Sequence, residues 1–290
     1  MRLSGRRAGF SLPEAIVAMV ILGVISAALT RMVIEQMRFF DYTQSVRSAR
    51  SAGRNSMQVL LSDMRMVEAD SAGVRAASTT SITLRVPYRF GLVCGTASGK
   101  TTVSMLPIDS MVSSMAVYAG YAYRNRGSSG IYNYPTPSTA PVASSQATLC
   151  TTTAGIKTVS MNGRTGDVLD IVPNITMDAT TNVVGMSVFF YQTVTYSFAN
   201  STLYPGYKGL YRSVSGGTNE ELMAPFSSSS GFKFYTSGSD ASSSTVPNPV
   251  TNITGIDVVL YAVGNRTPAG RTAPPQQQMV TSVFFKNFTP

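Results

Sequence analysis

The chain has 290 residues, no histidine and a formal net charge of +9. Without histidine, a histidine-based catalytic triad, proton relay or zinc hydrolase site is excluded. Charged residues make up 13% of the chain against 43% apolar residues; about 25% charged is usual in soluble domains, and Ser, Thr, Gly and Asn fill the gap, as in a β-rich fold with many turns.

Arg2, Arg6 and Arg7 precede an apolar run from Ala15 to Leu29, and Arg31 is the first basic residue after it. A basic flank stays in the cytoplasm, so the chain should insert with its N-terminus inside and the remainder translocated. An ordinary secretory signal is cut on the far side of its apolar region, and Ser26-Ala-Ala28 is the segment that would serve. The favoured cut lies earlier, between Gly9 and Phe10, where it removes the basic leader and keeps the helix. Glu14 stands alone at the mouth of that helix. A carboxylate near hydrocarbon needs a partner, the first turn of a helix favours negative charge, and Pro13 is tolerated there because its missing N–H is not needed. The cationic partner at hand is a freed amine on Phe10; the other reading is a helix N-terminal acid with no partner.

Gly9-Phe10-Ser-Leu-Pro-Glu14, with the apolar run behind it, resembles the prepilin cleavage and methylation motif of type IV pilins and type II secretion pseudopilins. The resemblance implies that a prepilin peptidase cuts after Gly9 and methylates the amine of Phe10. Phe10 then becomes the first residue and Glu14 the fifth, and Glu14 meets the amine of a neighbouring subunit during assembly. The partners implied are the prepilin peptidase, other pilin or pseudopilin subunits and the inner membrane. The role is structural, with no enzyme activity and no cofactor. The head would lie outside the cytoplasm, first on a single-pass anchor and then in a pilus or pseudopilus.

One long helix is expected from Phe10 to about Ala69. Its first part is apolar all round, with Gly23 and Ser26 small enough for close helix approach. Beyond Arg31 it turns amphipathic: Met57, Leu60, Leu61, Met64 and Val67 recur at helical spacing and form the face for a sheet. Gly53 is expected to mark a bend, and Ser71-Ala-Gly73 the stop. Arg31, Arg38, Arg47, Arg50, Arg54 and Arg65 all lie on this helix, more in keeping with pairing to acidic groups of neighbouring subunits than with binding nucleic acid.

After the helix the period changes to two. Strands are expected at Ser81–Val86 and, after a turn at Pro87, Arg89–Cys94. Others are expected at Met115–Tyr123, Val168–Val172, Gly185–Phe198, Gly209–Arg212, Gly231–Tyr235, Gly255–Val263 and Met279–Phe285. Ser-, Gly-, Pro- and Asn-rich loops separate them, most densely at 132–145 and 227–251. A helix followed by consecutive strands argues α+β, a pilin-like arrangement of a long helix on an antiparallel sheet with long loops. The expected division is a leader at 1–9, a membrane or filament-core helix at 10–30, its amphipathic continuation at 31–70 and a β-rich head at 71–290, with an insertion at 95–156.

Leu210-Tyr-Arg212, Glu220-Glu-Leu-Met-Ala224, Phe232-Lys-Phe-Tyr235, Ile256–Tyr261 and Val280–Asn287 follow one another in an order similar to the larger minor pilins of the PilW kind and the J-type minor pseudopilins. Asp63-Met-Arg65 matches an Asp-x-Arg habit of the same group. This resemblance selects a subgroup and assigns no residue. Cys94 and Cys150 should lie outside the cytoplasm, where disulfides persist; a disulfide is the favoured reading and two buried thiols the other. Asp167, Asp170 and Asp178 are close enough in sequence to offer oxygen ligands to calcium, although their spacing has no EF-hand form and suits turns. Gly95-Thr-Ala-Ser-Gly-Lys-Thr101 ends like a phosphate-binding loop, but its glycines have the wrong spacing and it reads as a plain loop. Tyr and Phe at alternating strand positions read as core packing. The other functional readings are a filament-tip adhesin or DNA-uptake receptor, and a membrane-anchored periplasmic protein outside any filament.

Overall fold

The computed structural model describes residues 11–67, 73–112, 116–124, 132–137, 139–152, 160–161, 164–175 and 183–285. Helix α1 runs unbroken over Leu12–Met64. Pro13 sits in its first turn and Ser11 precedes it in extended conformation, so the helix begins where a proline costs least. At 1.5 Å per residue its 53 residues span about 80 Å. Only its second half buries a face, formed by Ser45, Ala49, Ala52, Gly53, Ser56, Met57, Leu60 and Met64. The large members of that face are those the helical spacing picks out. The small members, which bring the helix backbone close to the sheet, carry no such signal.

Two expectations about the helix are corrected. It ends at Met64, short of Ala69: the amides of Met66 and Val67 bond the carbonyls of Asp63 and Met64 at 3.2 Å each. These tighter i→i−3 bonds turn Val67 into the core that Met64 already fills. The expected stop at Ser71 and Ala72 lies outside the described residues. Gly53 makes no break. A Cβ there would stand 2.9 Å from Met279 Sδ and 3.3 Å from Ala262 Cβ, so the glycine permits close approach of helix and sheet.

The strands are β1 (Val74–Ala77), β2 (Ser81–Ala97), β3 (Lys100–Met105), β4 (Gly120–Arg124), β5 (Tyr132–Asn133), β6 (Val142–Ala143), β7 (Ser160–Met161), β8 (Arg164–Thr165), β9 (Val168–Ile171), β10 (Ser187–Asn200), β11 (Lys208–Val214), β12 (Glu220–Phe226), β13 (Gly231–Thr236), β14 (Ile253–Val263) and β15 (Gln276–Phe284). Short helices α2 (Pro107–Val112) and α3 (Leu149–Thr152) lie between them. One sheet of 13 strands has the order β13-β14-β12-β11-β10-β2-β3-β9-β6, with β1 on β2, β15 on β14, and β4, itself paired with β5, on β10. The pairings are antiparallel. The fold is therefore α+β: a long apolar helix followed by a large antiparallel sheet.

The long central strands differ most from expectation. Pro87 does not divide two strands. It lies inside β2, where the register against β10 slips between Phe190/Arg89 and Tyr191/Pro87, leaving Tyr88 as the extra residue of a bulge. A bulge shifts the face that each residue presents. Ile82, Leu84 and Val86 are buried before it, and Arg89, Gly91 and Val93 after it. The partner strand has no such switch: Val188, Phe190, Val194, Tyr196 and Phe198 are buried throughout. The bulge thus keeps the buried residues of β2, Arg89 among them, on the side of the sheet that β10 buries.

Other strands also differ from the sequence expectation. The strand expected at Met115–Tyr123 is confined to Gly120–Arg124, and its first four residues are all buried, which removes the alternation; Met115 lies outside the described residues. β1, β3 and β12 lie outside the strands that the sequence pattern marks. The glycine-rich run at 95–101 is a β-hairpin, not a loop: Ala97 pairs with Lys100, and Ser98 and Gly99 take φ of 51° and 73°, the left-handed pair that a two-residue hairpin turn requires.

Two apolar clusters share β2 and β10. Under α1, Leu60 and Met64 meet Leu84, Tyr196, Phe226, Phe234, Ile256 and Leu260. Toward the other end, Val93, Val103, Met105, Tyr121, Ile171 and Phe190 form the second. The aromatic side chains named here are buried, as the packing reading expects.

Candidate assembly site

Glu14 occupies the first turn of α1 and is exposed. Gly9 and Phe10 lie outside the described residues. Behind Glu14, Ile16, Val20, Leu22, Ile25 and Leu29 are each at least half exposed, as is Leu12 ahead of it. An 18-residue window of this helix has a mean hydropathy of 2.3 with none of it buried. It is long and apolar enough to cross a membrane, and the head covers none of it. Apolar exposure on this scale marks a surface made for lipid or for other helices.

Residues 4–30 match a family model described as the prokaryotic N-terminal methylation motif. The matched segment contains Gly9, Phe10, Glu14 and the whole apolar run from Ala15 to Leu29. It supports a type IV pilin-like subunit that is processed by prepilin peptidase and assembles with its family. Motif and apolar helix together fit a membrane-anchored pilin precursor. No curated protein and no solved structure matches the chain.

The second half of α1 is fastened to the head by polar groups as well as by its apolar face. Asp63 Oδ2 accepts from the Tyr196 hydroxyl at 2.6 Å and from Arg212 Nη2 at 3.4 Å. Arg212 Nε also donates to the Tyr196 oxygen at 3.3 Å. Burial, followed by the bond to the Asp63 carboxylate, raises the Tyr196 pKa above its ordinary value, so the ring remains a neutral donor. The Asp-x-Arg and Leu-Tyr-Arg segments singled out in the sequence therefore meet in space through Asp63 and Arg212. Higher on the helix, Arg266 pairs with Asp41 at 3.2 Å and donates to Gln44 at 2.6 Å, while Ser45 Oγ donates to the Arg266 carbonyl at 2.9 Å. Nothing in the local sequence around Arg266 announces this clasp, because it depends on a loop that returns 221 residues later.

Cys94 and Cys150 form a disulfide with Cα atoms 5.0 Å apart. It fastens α3 to β2 beside the second cluster. Of the three aspartates whose sequence proximity suggests calcium ligands, Asp178 lies outside the described residues. Asp170 is buried and taken up by protein donors: Thr102 Oγ1 at 3.0 Å, the Ser145 amide at 3.1 Å and hydroxyl at 3.3 Å, and the Ser144 hydroxyl. Among the described residues no three His, Cys, Asp or Glu side chains gather as metal ligands. Lys100, the lysine of the phosphate-loop-like run, lies with Nζ 3.9 Å from Asp170, and Thr101 Oγ1 accepts the Ile175 amide at 2.8 Å. The run serves the interior of the head.

Proposed function

We propose that this protein is a minor pilin or minor pseudopilin, a structural subunit that enters or primes a type IV pilus or a type II secretion pseudopilus. The prepilin peptidase cuts between Gly9 and Phe10 and methylates Phe10. Residues 10–30 then leave the membrane for the filament core, where Glu14 pairs with the amine of an adjacent subunit. The observation that carries this reading is the division of α1 into a bare apolar half and a half built into the head. A single rigid helix can thus change its apolar surroundings from lipid to neighbouring helices without disturbing the sheet. A head of this size suits a subunit used once or a few times near the tip better than one repeated in every layer.

Mass spectrometry of the N-terminal peptide, on sheared surface fibres and on the cells left behind, tests the proposal. A methylated Phe10 start in the fibres identifies a pilus subunit. The same start found only with the cells identifies a pseudopilus subunit or an assembly primer. An intact Met1 leader in both fractions refutes the filament reading.

A further inference from the structure

Strand β15 is an edge. Among the described residues it pairs with β14 alone. Its nine residues, Gln-Gln-Gln-Met-Val-Thr-Ser-Val-Phe, contain no proline and no charge, so it lacks the usual devices that keep an exposed edge from pairing with another chain. The opposite edge near the helix, β13, is managed: Lys233 stands in its middle and Phe234 bridges back to Ser243. Beside β15 runs a groove of about 680 Å³ between the strand and α1, lined by Arg54, Met57, Leu61, Arg65 and Met279 among others. A second hollow of about 380 Å³ continues it past Arg65 to Val283 and Phe284. Met57 and Leu61 give it an apolar floor. Arg54 and Arg65 are exposed, and neither has a carboxylate partner among the described residues.

We infer that the free edge of β15 and the groove beside it take an extended, acidic segment of a different protein as an added strand. Main-chain hydrogen bonds to β15 supply the affinity and the groove reads alternate side chains. Arg54 on the helix and Arg65, its C-terminal cap, are eleven positions apart, about 16 Å at the helical rise. Residues on one face of a strand recur about every 7 Å. Two carboxylates four positions apart, with an apolar residue midway between them, would therefore meet Arg54, the Met57–Leu61 floor and Arg65 in turn. A second copy of this chain fits poorly: its own β15 carries no carboxylate, and β13 would present Lys233 to the arginines. The inference is independent of leader processing, since the edge and groove belong to the head.

Amide hydrogen exchange on the full, uncut chain in detergent tests it. The probe is the blocked peptide Thr-Thr-Glu-Thr-Val-Thr-Glu-Thr-Thr at millimolar concentration, with its Lys-for-Glu counterpart as control. The acidic peptide should slow exchange in residues 276–284 at least tenfold and the basic one should not. In the exposed-site variant Arg54→Glu/Arg65→Glu the preference should reverse. Equal protection by both peptides, or by neither, overturns the inference. So does protection of β15 that appears without peptide as the chain is concentrated, which would assign the edge to a second copy.

Discussion

The Tyr196 hydroxyl donates to Asp63 Oδ2 across 2.6 Å, joining the last turn of α1 to β10 over 133 residues of sequence. Apolar contacts hold the helix against the sheet, but they are not directional. This bond, with Arg212 behind it, fixes how far the helix slides along the sheet. Tyr196→Phe removes the donor and leaves Arg212 as the only partner of Asp63 in this group. It should cost about 1–3 kcal/mol, the range for a partly buried carboxylate losing a donor. Urea unfolding of the detergent-solubilised chain measures this. In a double-mutant cycle with Asp63→Asn the two losses should not add; strict additivity would mean that the two groups do not cooperate.

Asp170 gives the head an acid limit. Burial alone would raise the pKa of its carboxyl, but hydrogen bonds from Ser144, Thr102 and Ser145 outweigh burial and hold it below its ordinary 3.8. A lowered folded-state pKa stabilises the fold fully at pH values above the ordinary carboxylate range. That stability is lost as pH falls through the folded value. Asp170→Asn should be less stable at neutral pH and should show a shallower loss on acidification. Urea midpoints measured for both proteins from pH 7 downward test this; parallel curves would contradict it. Glu221, held low in spite of burial by Ser201, Thr202 and Tyr211, adds a second acid-sensitive group that Asp170→Asn leaves intact.

What the sequence made legible follows from how local each signal is. The N-terminal helix, its apolar half and the stripe from Met57 to Met64 depend on residues three or four apart, and all were readable. So were β9, β10, β13, β14 and β15, where a run of apolar or alternating residues is bounded by turn residues. The bulge at Tyr88 was not, because Pro87 looks the same at a turn and at a bulge until the partner strand is known. The polar fastening was visible only in fragments. Asp63 and Arg212 were each conspicuous, but their meeting through Tyr196 is a product of sheet register. The clasp at Arg266 left no local trace.

The disulfide closes a loop with a sequence separation of 56. The chain-entropy model assigns a closure of that length about 4 kcal/mol. Cys94→Ser/Cys150→Ser should lower the stability of the head by up to that amount. The effect should be uneven. Exchange should quicken most in β2 beyond Tyr88, β3 and β9, which surround the second cluster, and least in β13 and β14 beneath the helix. Uniform loosening would show that the two clusters unfold as one unit.

Gly53 is a test of how tightly helix and sheet meet. Alanine gains helix propensity of about 1 kcal/mol over glycine, while its Cβ presses on Met279 Sδ, which can move, and on Ala262, which cannot move easily. The two effects should nearly cancel in Gly53→Ala. Valine adds two more methyl groups at the same point and should destabilise by about 1–3 kcal/mol, the range for an overfilled site. Thermal unfolding of the two variants separates these cases. A tolerated valine would mean that the helix lifts from β14 and β15 at little cost.

Glu14 gives the assembly proposal its sharpest test, because it touches no part of the head. It is exposed in the first turn of α1, far along the helix from the first buried residue, Ser45. Glu14→Ala should leave the stability of the head unchanged. It should also leave the Gly9–Phe10 bond open to the peptidase, so the processed chain should accumulate in the membrane. What should fail is the proposed exchange of lipid for a filament core, in which the carboxylate would offset the amine of a neighbour. Recovery of the variant in sheared fibres or pseudopilus fractions should fall at least tenfold. Glu14→Gln, which keeps the shape and loses the charge, should fail to the same degree if charge pairing is the cause. A Gln variant that assembles while the Ala variant does not would transfer the role from charge to hydrogen bonding, and normal entry of both would remove Glu14 from assembly.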